Sequence, residues 1–178
     1  MTSADLSWRD GGAVMSPCGR YRYILHRMWG EPDSRAVTFI MLNPSTADGR
    51  EDDPTIRRCI GFAKRLGFGR LYVVNLFAFR ATEPADMFGH LRYSCDAMRL
   101  EERTYLLRAT ADSDTIIAAW GAAGTTLVER GAVKKRSDRI REILSIRERT
   151  LHCLGRTKSG APRHPLYLPV DAPLEVWP

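Results

Sequence analysis

Residues 39–58 read FIMLNPSTADGREDDPTIRR. An apolar run, Val37–Leu42, stops at Asn43-Pro44. Pro44 cannot donate to a ladder and biases Asn43 towards extended backbone, so a strand ends here. Ser45, Thr46, Asp48 and Gly49 suit a polar turn. Asp53-Pro54 then supplies an N-cap residue and a proline at the first helical position. The stretch predicts strand, polar loop, helix. In an open α/β sheet such a loop lies at the carboxyl end of a strand, where these folds hold ligands.

Working outward, the helix is expected from Pro54 to Leu66, with Ile56, Cys59/Ile60, Ala63 and Leu66 forming its core stripe. Three more apolar runs, Leu71–Leu76, Thr115–Trp120 and Thr150–Leu154, predict buried strands. Helices are expected over Asp86–Ala111 and Thr125–Ile146, the latter with a break near Gly131. Tyr21–Trp29 alternates only in part and predicts an edge strand. Residues 1–19 and 155–178 are expected to be irregular. Strands alternating with helices point to a three-layer α/β sandwich with a mostly parallel, four-stranded central sheet, in one domain spanning 1–178.

The chain has 178 residues, 44% hydrophobic and 27% charged, a composition ordinary for a globular domain. No apolar run approaches the roughly 18 residues of a membrane span. The N-terminal MTSADLSWRD lacks the apolar core of a secretory signal, so a cytoplasmic protein is expected, with no membrane partner. The net charge of +6 permits nucleic-acid binding without requiring it. Cys18, Cys59, Cys95 and Cys153 form no C-x-x-C pair. Free thiols are the expectation, and a cluster held by all of them is the lesser alternative.

If the predicted strands are parallel, their carboxyl ends meet at one edge. Asn43-Pro44-Ser45, Asn75, Trp120-Gly121 and His164-Pro165-Leu166-Tyr167 then face one another. Taken singly, Asn75 is a turn former or a reader of a ligand, and His164 a surface histidine or a site residue. In this order the motifs resemble the uracil-DNA glycosylase superfamily, especially its mismatch-specific, thymine-DNA glycosylase-like branch. Met41-Leu42-Asn43-Pro44-Ser45 is similar to that branch's first-strand motif. Asn75, followed by Arg80, is similar to the asparagine that reads a pyrimidine edge and its trailing arginine. His164-Pro165 stands where those enzymes carry His-Pro-Ser-Pro. The chain also resembles a bacterial and phage domain family of unknown function. The shared hallmarks here are LNPSTAD (42–48), DPTIRR (53–58), NLFAFRAT (75–82) and HPLYL (164–168).

The glycosylase resemblance implies cleavage of the N-glycosidic bond of a damaged or modified base in DNA. Asn43 would hold the attacking water, His164 would donate to the departing base, and Asp48 would be a general base where Asn43 is a poor proton acceptor. Pro44, Ser45, Asn75, Phe77, Arg80 and Tyr167 are the expected substrate contacts, with Phe79 a further ring that stacks on the base. Arg57, Arg58, Arg156, Lys158 and Arg163 either hold phosphates or form a solvated surface. Asp53 is expected to cap the helix. Asp48 and Asp52 share one loop, and a metal needs ligands converging from several elements, so neither metal nor cofactor is expected. The alternatives are a hydrolase of free nucleotides or nucleosides and a non-catalytic module that recognises a nucleobase or nucleic acid.

Overall fold

The computed structural model describes residues 11–91, 100–122 and 126–178. In chain order the elements are β1 (Gly12–Met15), β2 (Arg22–Met28), β3 (Ala36–Met41), α1 (Pro54–Arg65), β4 (Arg70–Asn75), α2 (Pro84–Leu91), α3 (Leu100–Ala111), β5 (Thr115–Ala118), α4 (Leu127–Ser145), β6 (Leu151–Cys153) and β7 (Glu175–Val176). A single 3-10 turn, Pro165–Tyr167, precedes β7.

Among the described residues the sheet has seven strands, in the order β1-β2-β4-β3-β5-β6-β7. The predicted sheet of four mostly parallel strands is therefore corrected to a larger, mixed one. Its middle is parallel: β3 pairs with β4 and β5, and β5 with β6. Antiparallel strands extend it on both sides, β2 and β1 beyond β4 and β7 beyond β6. The run expected at an edge, β2, is an inner strand because β1 covers it. β1 and β7 come from segments expected to be irregular. Four- and two-residue strands carry too little periodicity to be seen in a sequence, and they form only because a neighbour offers its open edge.

Alternation along the inner strands sorts the core into two layers, as the two-residue period of a strand demands. Ile40, Val74 and Ile116 face α2, α3 and α4, where they meet Met87, Leu106 and Ile140. Phe39, Val73 and Ile117 face α1, through Ile56, Cys59 and Phe62, and the C-terminal segment, through Leu168 and Ala172. Helices and coil thus cover both faces of the sheet.

Local signals explain the helix limits. Asp53 caps α1 by accepting from the Ile56 N–H at 2.8 Å, and Pro54 occupies the first helical position. Thr126 and Glu129 form a reciprocal capping box at the start of α4. α4 runs unbroken through Gly131, contrary to the expected break, since one helical glycine costs only about 1 kcal/mol and a buried stripe including Val133, Ile140 and Leu144 holds the helix down. The long helix expected over Asp86–Ala111 is two helices, α2 and α3, on either side of residues outside the described set. Cys95 also lies outside that set. Cys59 and Cys153 are buried free thiols, whereas Cys18 is exposed. Among the described residues no helix is long and apolar enough to cross a membrane.

Candidate functional site

β3 ends at Met41, paired with Asn75 at the end of β4. Beyond that pair the two chains stay bonded, with Leu76 N–H donating to Met41 O, Phe77 N–H to Leu42 O and Ala81 N–H to Pro44 O. Beyond β5 the chain runs through Trp120 to Gly121, whose N–H donates to Pro162 O at 2.9 Å. Gly121 has φ +75°, and a Cβ there would lie 3.4 Å from the His164 Cβ. Glycine suits this crossing because it alone adopts this left-handed backbone freely. These strand ends and the 3-10 turn surround a cavity of about 770 Å³.

Asn43, Ser45, Asn75, Trp120, Gly121, Arg163, His164 and Tyr167 all line it. The two asparagines differ in their partners. Asn43 Nδ2 donates to Ala81 O (2.8 Å) and Pro44 O (3.1 Å), which orients the amide and leaves Oδ1 as its free acceptor. Asn75 Nδ2 and Oδ1 are both buried and neither has a hydrogen-bond partner. No protein group satisfies this amide, so its donor and acceptor are left to whatever enters the cavity.

His164 caps the 3-10 turn, its Nδ1 accepting from the Leu166 N–H at 3.3 Å. In the neutral ring that bond leaves the proton on Nε2. Burial lowers the His164 pKa from its ordinary value, opposed by the nearby Asp53 charge. A neutral imidazole with an Nε2–H donor is therefore the form present at pH 7. The exposed Tyr167 ring stands 5.6 Å from the imidazole at the rim.

Other sequence candidates are engaged elsewhere. Asp48 is exposed, and its Oδ1 accepts from the N–H groups of Arg50 and Glu51, which hold its carboxyl below the usual range. Asp52 pairs with Arg27 at 2.8 Å. Pro44 and Phe77 are buried away from the cavity wall; Phe77 packs edge-on to Phe88 with the Arg136 guanidinium 5.0 Å above it. Phe79 stacks on His90 at 4.0 Å. Arg80 donates to Gly19 O and Thr46 O. Of the five expected phosphate contacts, Arg57 donates to Asp52 O, Arg58 to Leu168 O, and Arg156 to Glu175 at 3.2 Å. Lys158 and Arg163 are exposed, and of all five only Arg163 lines the cavity.

Among the lining residues that escaped the sequence reading, one is a buried cation. Arg22, on β2, is 2% exposed, and its Nη1 donates to Ala47 O at 2.7 Å. Burial pushes its guanidinium down to about 10, so it stays cationic at pH 7. The available signal was an arginine inside an aromatic and aliphatic run, YRYIL (21–25). Arg22 is also one of three arginines that hold the loop after β3: Arg27 donates to Asp48 O and Arg80 to Thr46 O.

A family profile described as "Protein of unknown function (DUF1643)" matches residues 22–166. The chain belongs to the DUF1643 family. The match begins at Arg22 and ends at Leu166, so it takes in the strand ends and the imidazole that enclose the cavity. No curated protein and no solved structure matches the chain.

Proposed function

We propose that this DUF1643 chain accepts a nucleobase in the strand-end cavity and cleaves its N-glycosidic bond, acting on a damaged or modified base in DNA as a uracil-DNA glycosylase-like enzyme would. The observation that carries this reading is Asn75: a buried amide with donor and acceptor both unpartnered, in a cavity that also holds Asn43 and His164. An amide of that kind matches the paired donor and acceptor on a base edge. Asn43, with its nitrogen tied to Ala81 O, presents Oδ1 to a water. His164 donates from Nε2 to the carbonyl oxygen of the departing base and stabilises the charge that develops there. The C1′–N bond breaks, the water oxygen bonds to C1′, and the water's proton passes to solvent, since an amide does not accept it.

Hydrolysis of free nucleotides or nucleosides is the second reading. It is favoured by the commitment of Arg57, Arg58 and Arg156 to partners within the chain, which leaves fewer cations for a DNA backbone.

The test is incubation with duplex and single-stranded oligonucleotides carrying uracil, hypoxanthine, mismatched thymine or modified cytosines, followed by alkaline cleavage at abasic sites. A parallel arm measures free base released from mononucleotides and nucleosides. Abasic product that disappears in Asn75→Leu supports the first reading, and release from mononucleotides alone supports the second. Binding without release of base in either arm leaves a recognition module and sinks both.

A further inference from the structure

Among the described residues three arginines are buried: Arg22, Arg27 and Arg136. Two have carboxylate partners, Arg27 with Asp52 and Arg136 with Glu102 at 2.9 Å. Arg22 takes part in none of the ion pairs among the described residues. Its Nη1 is used by Ala47 O, while its Nε is buried with no hydrogen-bond partner. It lines the same cavity as Asn75. A buried guanidinium with no carboxylate in contact is costly, the Asp53 and Asp48 charges acting on Arg22 only through space, and its planar fork matches the oxygens of a phosphate or carboxylate.

We propose that Arg22 is an oxyanion subsite, so that the ligand of this cavity carries a phosphate or carboxylate group beside its heterocycle. The heterocycle half of this statement rests on the proposed base-binding role of Asn75; the oxyanion half rests on Arg22 alone. The cavity also contains Asp53, Glu83 and Glu129. Asp53 Oδ1 is held by the Ile56 N–H and Glu129 Oε2 by the Thr126 N–H, so both carboxylates are partly neutralised by helix caps. Glu83 is exposed at the rim. A fully buried anion therefore meets Arg22 as its cationic partner, with the exposed Arg163 as a second cation lining the cavity.

Calorimetric titration tests this with four probes: inorganic phosphate, a pyrimidine nucleoside, its 5′-monophosphate, and a carboxyl-substituted pyrimidine nucleoside. The proteins are wild type, Arg22→Gln, Arg22→Lys and Asn75→Leu. Inorganic phosphate should bind wild type and Asn75→Leu alike and bind Arg22→Gln roughly tenfold or more weakly, as loss of a charge-assisted hydrogen bond implies. Arg22→Lys should fall between them, since it keeps the charge and loses the fork. The monophosphate and carboxyl arms then show which anionic group the subsite prefers. Because Arg22 also holds Ala47 O, Arg22→Gln is checked for folding, and wild type is followed separately by the arginine Nε–H resonances, where the signal missing in Arg22→Lys should move on adding phosphate. Phosphate affinity unchanged by Arg22→Gln, a stationary Arg22 resonance, or equal affinity for nucleoside and both anionic derivatives overturns the subsite and leaves Arg22 as a clamp on the loop. Loss of nucleoside binding in Asn75→Leu, with phosphate binding intact, confirms the two halves are separate.

Discussion

Asn75 closes β4 and Asn43 lies two residues beyond the end of the adjacent parallel strand β3, at the same edge of the sheet, and the two are the same residue type. Asn43 is built into the backbone: its amide nitrogen bridges to Ala81 O, across 38 residues of chain. Asn75 is not, since neither of its amide atoms finds a partner in the protein. Identical side chains at neighbouring strand ends thus sit at opposite ends of the balance between stability and function. Asn43 contributes to holding the loop after β3 and offers one oriented oxygen. Asn75 makes no such bond within the protein and offers a complete donor and acceptor pair.

The sharpest way to break this contrast is Asn75→Leu. Ligand binding and base release should fall on the order of 100-fold, because a site built around a polar pair loses both halves at once. The same variant should unfold at equal or higher denaturant, by about 1–3 kcal/mol, because the unsatisfied groups are gone. A loss of both stability and binding would show instead that Asn75 is a structural residue.

Next in size is Gly121→Ala. Placing a Cβ at φ +75° costs about 1–2 kcal/mol, and that Cβ would meet the His164 Cβ at 3.4 Å, an ordinary contact. Denaturant unfolding should show this loss, while base release by the folded fraction should be kept. Release that falls further than the folded fraction would show that the strain at Gly121 reaches His164.

Asn43→Ala should cost about 1 kcal/mol, the ordinary worth of a hydrogen bond, by leaving Ala81 O and Pro44 O without this donor. Thermal unfolding should therefore move down for Asn43→Ala and not for Asn75→Leu. Equal shifts in the same direction would erase the distinction between the two asparagines.

The smallest effect concerns pH. Burial lowers His164 below its ordinary 6.5, and burial together with the Arg27 charge lowers His26 to about 4. A histidine whose folded value is depressed stabilises the protein above pH 6.5 and loses that contribution as pH falls through the folded value. Melting temperature should decline between about pH 6.5 and 4, and His26→Gln should flatten that decline. A profile that rises on acidification would contradict neutral imidazoles at both places.

Much of this arrangement could be read from residues close together in the chain. Pro44 ended β3, Asp53-Pro54 opened α1, and runs of buried β-branched and aromatic residues marked the four parallel strands. Asn43, Asn75 and His164 could be named from short motifs, and the fold does place them around one cavity. Phe77 and Arg80 shared such a motif with Asn75, yet neither lines the cavity: Phe77 packs into the core and Arg80 reaches back to Gly19 O and Thr46 O. Strand alternation separates Asn75 from the residues that follow it, and no motif records which way a loop turns.

The amino-acid sequence by itself determined the alternation of strand, loop and helix, because proline, helix caps and apolar periodicity act over a few neighbouring residues. Only the tertiary structure decided that β1, β2 and β7 extend the sheet antiparallel, that Asn43 is satisfied while Asn75 is not, and that Arg22 lacks the carboxylate its buried counterparts have. Those outcomes depend on partners tens of residues away, such as Ala81 for Asn43 and Ala47 for Arg22, and whether a polar atom meets a partner is settled only when the chain has closed around it.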